Sequence, residues 1–120
     1  MRELVIGLDL GTTSVKAVAF ARNGKVIYEA EQLINTFYPE ASYVEQDPEE
    51  VEMKSRLVLQ KVLAQTTNER VLAIGISCAM HSLICVNKKG EPLSPMLIWS
   101  DGRSSDLVKN LSEDEKQHIY

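Results

Sequence analysis

The sequence predicts an α/β fold built on a mixed sheet, and three features of the chain predict it. Apolar segments of strand length at residues 3–10, 14–22 and 25–33 follow one another across short turns, the pattern of an antiparallel three-strand meander. A helix start with its cap in place stands at Asp47-Pro48. An apolar run from Val71 to Cys78 follows that helix, and strand, helix and strand in this order permit a parallel crossover.

Residues 3–10 read as a central strand and 14–22 as its antiparallel neighbour. Val5 and Ile6 lead into the intervening turn, and Val15, Ala17, Val18 and Phe20 lead out of it. Asn23-Gly24 reads as a two-residue hairpin turn, because both positions tolerate positive φ. Residues 25–33 then alternate, with Val26, Tyr28 and Ala30 on one face. Residues 34–46 read as an irregular crossing, with Pro39 and few periodic apolar positions. Asp47 can cap a helix, Pro48 suits its first position, and Glu50 completes a capping box. Val51, Val58 and Val62 share one face with Leu59 and Leu63 alongside, so this helix packs on a sheet and ends near 66–68.

Val71 to Cys78 is apolar throughout and reads as a fully buried strand. Residues 83–87 read as another strand, turned by Lys88-Lys89-Gly90, with 91–95 as loop and 96–99 as a short apolar segment. Ser104 or Ser105 can cap a helix through 107–110, and Ser112 to Glu115 opens one more. These short helices have no obvious sheet to cover, which points to a piece of a longer protein.

The 120 residues suffice for one modest domain, and 44% hydrophobic content supports a core. Thirteen basic and 17 acidic residues give a net charge of −4, and no basic cluster offsets it. That excludes a general nucleic-acid surface. Cys78 and Cys85 lack metal-ligand spacing and fall inside apolar strands, so buried thiols are expected rather than a disulfide. Arg2, Glu3 and Asp9 make the amino terminus too charged for a secretory signal, and no apolar run is long enough to span a membrane. Cytoplasm is the expected compartment, with no membrane partner.

Between the first two strands lies a turn of small hydroxyl residues around one glycine, Gly11-Thr12-Thr13-Ser14. Gly11 is free to take a backbone shape that strains other residues. Successive N–H groups in such a turn form a concavity for anions, and the three hydroxyls add donors. Asp9 has the wrong charge for a phosphate but fits if Mg²⁺ stands between them. Lys16 supplies positive charge on the same face as Ser14. The bland alternative is a hairpin whose Asp and Thr residues only serve the turn.

The pattern Asp-x-Gly-Thr-x-Ser-x-Lys, present as Asp9, Gly11, Thr12, Ser14 and Lys16, resembles the first phosphate motif of the sugar kinase, Hsp70 and actin superfamily. Neither the P-loop nor the dinucleotide-binding glycine pattern is present. Four further motifs follow in order: Val44-Glu45-Gln46-Asp47-Pro48, Ile74-Gly75-Ile76-Ser77, Met80-His81, and Trp99-x-Asp101-x-Arg103. Together the five resemble the start of the amino-terminal domain of the FGGY carbohydrate kinases, and they cover nearly the whole chain. Ser77 to Leu83 looks most like gluconate kinases, whereas Ala79 and Ser82 depart from the xylulose kinase pattern.

The resemblance implies an RNase H-like core, a mixed sheet with helices, in the first of two domains that close on nucleotide and sugar. Residues 1–120 would be part of that first domain, with the ATP-binding second domain outside the chain. Asp9 would hold Mg²⁺ through water, and Gly11, Thr12, Thr13, Ser14 and Lys16 would serve the ATP phosphates. Met80, His81, Trp99 and Asp101 would line the sugar pocket, with Arg103 nearby. The general base would be an aspartate beyond residue 120, so the piece alone is expected to be inactive. The implied reaction is ATP-dependent phosphorylation of a sugar or sugar acid, gluconate favoured, with xylulose or another sugar as alternative. A homodimer is left open.

Physical chemistry agrees with these roles. Phosphoryl transfer needs positioning and charge neutralisation more than covalent chemistry. A histidine and a carboxylate can hydrogen-bond sugar hydroxyls against a wall of Trp or Met, and Arg103 or protonated His81 suits gluconate's carboxylate. Each residue also has a structural alternative: Met80 and Trp99 as core, His81 as a satisfied strand-end histidine, Asp101 with Arg103 as a loop ion pair. The competing functional class is a non-catalytic nucleotide-binding module of the actin or Hsp70 kind, and a domain that has lost activity is a third.

Overall fold

In β1, Arg2–Leu10, the side chains of Leu4, Ile6 and Leu8 alternate into the core. Val15, Ala17 and Ala19 of β2, Ser14–Ala21, do the same beside them, and all three are fully buried. Two such faces in antiparallel register make an apolar surface that must be covered. The cover is α1, Pro48–Gln65, whose Val58 and Val62 are also fully buried. Ser55 shares this face because its hydroxyl donates to the Val51 carbonyl at 2.6 Å. Leu63, expected alongside, stays exposed.

The structure is a computed structural model and describes residues 1–119. With β3 at Val26–Leu33 and β5 at Glu69–Cys78, the main sheet runs β3-β2-β1-β5. The three-strand meander is antiparallel, and the crossover through α1 sets β5 parallel to β1. A second, two-stranded ribbon pairs β4, Glu45–Gln46, with β6, Met96–Leu97. Two short helices follow, α2 at Ser105–Lys109 and α3 at Glu113–Ile119. Ser112 and Glu115 form a reciprocal capping box at the start of α3.

Several local expectations are corrected. The hairpin between β2 and β3 has a three-residue loop, Arg22-Asn23-Gly24. Gly24 alone takes positive φ, +82°, and the Ala21 carbonyl accepts from its N–H at 2.9 Å. A turn closed by one left-handed residue replaces the two-residue turn. A register shift between Ala19 and Phe20 then breaks the alternation of β3, so Val26 is exposed opposite Phe20 while Ile27 and Tyr28 pack toward the core. The cap of α1 is Asp47, accepting from the Glu49 N–H at 2.9 Å, with Pro48 at the first position as expected. Glu50 does not close a capping box. Its carboxylate accepts from the Asn35 side chain at 3.0 Å and pairs with Lys54 at 2.5 Å. Residues 83–87 form only isolated bridges, Leu83 to Leu97 and Val86 to Pro92.

The largest correction concerns β5. It was expected to be fully buried, but Leu72, Ile74, Ile76 and Cys78 are exposed. The reason is its place at the sheet edge. Helix α1 lies across β2 and β3, and among the described residues nothing covers β5. Cys78 is therefore exposed rather than buried, and Cys85, outside any strand, is exposed too; both thiols are free.

Candidate functional site

Strands β1 and β5 end level. Asp9 stands beside Ser77 and Leu10 beside Cys78, and the Ala79 N–H continues the ladder to the Leu10 carbonyl at 2.9 Å. The turn Gly11-Thr12-Thr13 leaves the carboxyl end of β1, and Met80-His81-Ser82 leaves that of β5. Ligands of α/β sheets gather outside such ends.

The turn closes through the Gly11 N–H, which donates to the Ser14 carbonyl at 3.0 Å. Gly11 does not take positive φ, contrary to expectation. Its requirement is space: a Cβ there would lie 3.0 Å from the Ser14 carbonyl oxygen. The Thr13 carbonyl accepts from the Ile34 N–H at 2.9 Å, and the Thr12 carbonyl accepts from Gln46 Nε2 at 2.6 Å. The N–H groups of Thr12 and Thr13 have no partner among the described residues. Ser14, expected to donate into the turn, instead donates to Glu31 Oε1 at 2.7 Å. Lys16 lies opposite Asp9 across β1 and β2, but its ammonium pairs with Glu29 at 3.3 Å.

Asp9 is exposed and has no ion-pair partner among the described residues. Its carboxylate borders an open trough of about 410 Å³ on the sheet face opposite α1, floored by Gly7 and Gly75 and walled by Val18, Phe20 and Lys16. No cluster of three His, Cys, Asp or Glu among the described residues could hold a metal alone. A single free carboxylate fits Mg²⁺ shared with phosphate oxygens and water, which is how that ion is usually held.

The segment after β5 is pinned at both ends, by Leu10 at Ala79 and by Leu97 at Leu83, where two backbone bonds of 2.8 and 2.9 Å form. Between them His81 takes φ +63°, the only positive φ outside glycine among the described residues. Such a backbone costs about 1–3 kcal/mol and persists only where its surroundings impose it. Met80 and Trp99 are 72% and 64% exposed, so neither belongs to the core formed by the described residues. The Trp99 indole N–H reaches Thr12 Oγ1 at 3.3 Å, so the far end of the chain touches the first turn.

Asp101 was expected to accept from a sugar, but its oxygens are taken within the chain. They accept from the Val44 N–H at 2.7 Å and from Arg103 Nη2 and Nε at 2.9 Å each. Arg103 also donates to Glu45 Oε1 at 2.6 Å and stacks 3.8 Å over the Tyr43 ring. The Arg103 guanidinium and the Val44 N–H hold the Asp101 carboxyl down at about 2. The loop ion pair is thus what the structure shows, and it ties residues 101–103 to β4. Gln46 stands in the Val44-Glu45-Gln46-Asp47-Pro48 motif, which assigns it no role of its own. A lone glutamine between Glu45 and the cap residue Asp47 lies in no periodic pattern, and only its near-complete burial reveals it.

Comparison with known proteins bears on the family and the fold. The profile of the FGGY family of carbohydrate kinases, N-terminal domain, matches residues 4–120. The gluconokinase of Bacillus subtilis (strain 168) is 33% identical over 118 residues, 98% of this chain and 23% of that protein. The glycerol kinase of Aquifex aeolicus (strain VF5) is 36% identical over 111 residues, 92% of this chain and 23% of that protein. The chain thus spans about a quarter of the length of these relatives. The solved gluconate kinase from Lactobacillus acidophilus superposes with a TM-score of 0.83 at 26% identity, over 98% of this chain and 23% of that one. The mixed sheet with its antiparallel meander is the RNase H-like fold of the actin, Hsp70 and sugar kinase group. With that profile covering nearly the whole chain and this fold beneath it, the chain belongs to the FGGY family of carbohydrate kinases.

Proposed function

We propose that the complete protein transfers the terminal phosphate of ATP to a hydroxyl of a sugar or sugar acid, with gluconate the favoured acceptor. The observation that carries this reading is the level ending of β1 and β5, which sets a turn with free N–H groups beside a pinned histidine. Residues 1–120 would be part of the amino-terminal domain, with the adenine pocket and the general base in a second domain outside the chain.

Thr12 and Thr13 would donate to the ATP phosphates through N–H and hydroxyl, and Gly11 lets the turn close. Lys16 would leave its exposed pairing with Glu29 for the phosphates, and Ser14 would steady the turn through Glu31. Asp9 would hold Mg²⁺ through water, where the metal's contribution is to neutralise phosphate charge. Met80, His81 and Trp99 would form the sugar wall, with Asp101 acting through Arg103 and Val44 to fix that wall in place. Because Arg103 is committed to Asp101 and Glu45, His81 is the residue left to donate a hydrogen bond to gluconate's carboxylate.

A second reading takes an uncharged polyol, glycerol or xylulose, as the acceptor. The 36% identity to a glycerol kinase favours it. Turnover of the complete protein against gluconate, glycerol and xylulose separates the two. The site itself is tested by His81→Ala, with acceptor and ATP titrated separately. Leaving the acceptor's polar group unpaired costs on the order of 1–3 kcal/mol. The KM for the acceptor should rise at least several-fold. The KM for ATP should stay within about twofold. Equal rises in both would make His81 a structural residue.

A further inference from the structure

One ribbon holds Thr12 from two sides. Gln46 of β4 pairs with Met96 of β6, and Trp99 follows β6 in the chain. Gln46 Nε2 donates to the Thr12 carbonyl at 2.6 Å, and Trp99 Nε1 donates to Thr12 Oγ1 at 3.3 Å. Gln46 is 2% exposed, and its amide also donates to Thr36 Oγ1 at 3.1 Å. A buried amide with its donors spent in this way has one orientation. The Thr12 hydroxyl, accepting from the indole, keeps its own proton to donate, and that proton must point away from the indole N–H.

We propose that Gln46 and Trp99 are positioning residues that clamp Thr12, and that this clamp couples the sugar wall to the phosphate turn. A substrate that moves the Trp99 ring changes the acceptor bond on Thr12, and so the donor that Thr12 offers a phosphate. By linkage, nucleotide at the turn changes sugar affinity by the same factor. The proposal rests on reading Gly11-Thr12-Thr13 as the phosphate site.

The test uses the complete protein and calorimetric titration of ATP with Mg²⁺, with and without acceptor. Trp99→Phe keeps an aromatic ring on the wall and removes the N–H together with the five-membered ring, so the Thr12 series below isolates the hydrogen bond. A lost hydrogen bond of ordinary strength corresponds to a rise in ATP Kd of about threefold to tenfold, and this should appear with no sugar present. Adding Trp99→Phe to Thr12→Val should raise the ATP Kd no further, whereas adding it to Thr12→Ser, which keeps the hydroxyl, should. Gln46→Met matches length without donors and should raise the ATP Kd alike; if that variant unfolds, the Trp99 and Thr12 series alone decides. Additive effects of Trp99→Phe and Thr12→Val, or a Trp99→Phe effect confined to sugar, would overturn the clamp. Wild-type protein that binds ATP without sugar-dependent ADP release refutes the kinase reading and leaves the clamp readable. Wild-type protein that binds no ATP overturns both.

Discussion

Gly11→Ala is the sharpest perturbation of the phosphate turn. The added methyl would sit 3.0 Å from the Ser14 carbonyl oxygen, the same atom that the Gly11 N–H binds at 3.0 Å. Contact and hydrogen bond cannot both be kept, so the turn must open. The strands cannot yield easily, because Leu4 to Leu10 pair continuously with Ala21 to Val15. Overpacking of this kind costs about 1–3 kcal/mol. If the strain falls on the turn, ATP affinity should drop roughly fivefold to 150-fold, at about 1.4 kcal/mol per decade. Calorimetric titration of ATP with Mg²⁺ reads the effect, with thermal melting as a check on the fold. Gly75→Ala is the control, since a Cβ there meets nothing within 4 Å. It should leave melting unchanged or stabilise by about 0.4–1 kcal/mol. Gly11→Ala protein that binds ATP within twofold of wild type would refute the crowding argument.

Asp9→Asn removes a carboxylate that has no ion-pair partner among the described residues, and kcat at saturating Mg²⁺ should fall roughly 10²- to 10³-fold with the melting curve intact. The Asp101 carboxyl titrates at about 2 in the folded chain against 3.8 for a free side chain, so its contribution is present above pH 3.8 and lost as pH falls toward 2. Melting temperatures across that window should fall less steeply in Asp101→Asn than in wild type. Val58→Ala deletes two buried methyl groups facing the sheet and should destabilise by about 2 kcal/mol, read as a lower denaturant midpoint at unchanged slope.

Periodicity made the meander and α1 legible, because alternation in β1 and β2 and the valine face of α1 are properties of short segments. The turn at Gly11 was legible for the same reason, its residues being contiguous. Burial of β5 was not, since an apolar run does not say whether anything covers it. Gly24 was rightly placed in a turn, but loop length depends on the pairing of both strands, which no dipeptide reveals. Gln46 and the Tyr43–Arg103 stack were invisible because their partners lie 34 and 60 positions away, Thr12 for the first and Tyr43 itself for the second. For Asp101 the sequence left a sugar contact and a loop ion pair open, and the structure shows the ion pair with Arg103, two residues on.

The two margins of the main sheet are chemically unequal. On β3, Glu29 and Glu31 place charges along the outer strand, a device that discourages a further strand from pairing there. On β5 the charges stop at Arg70, and from Val71 to Cys78 the outer strand offers unpaired backbone groups flanked by apolar side chains. Strand addition is therefore directional. A newly arriving segment, whether from the same polypeptide or from a neighbouring molecule, will zip onto β5 and be turned away from β3. In a concentrated sample of this chain, misassembly should begin at β5, and a lysine in place of Ile76 should delay it.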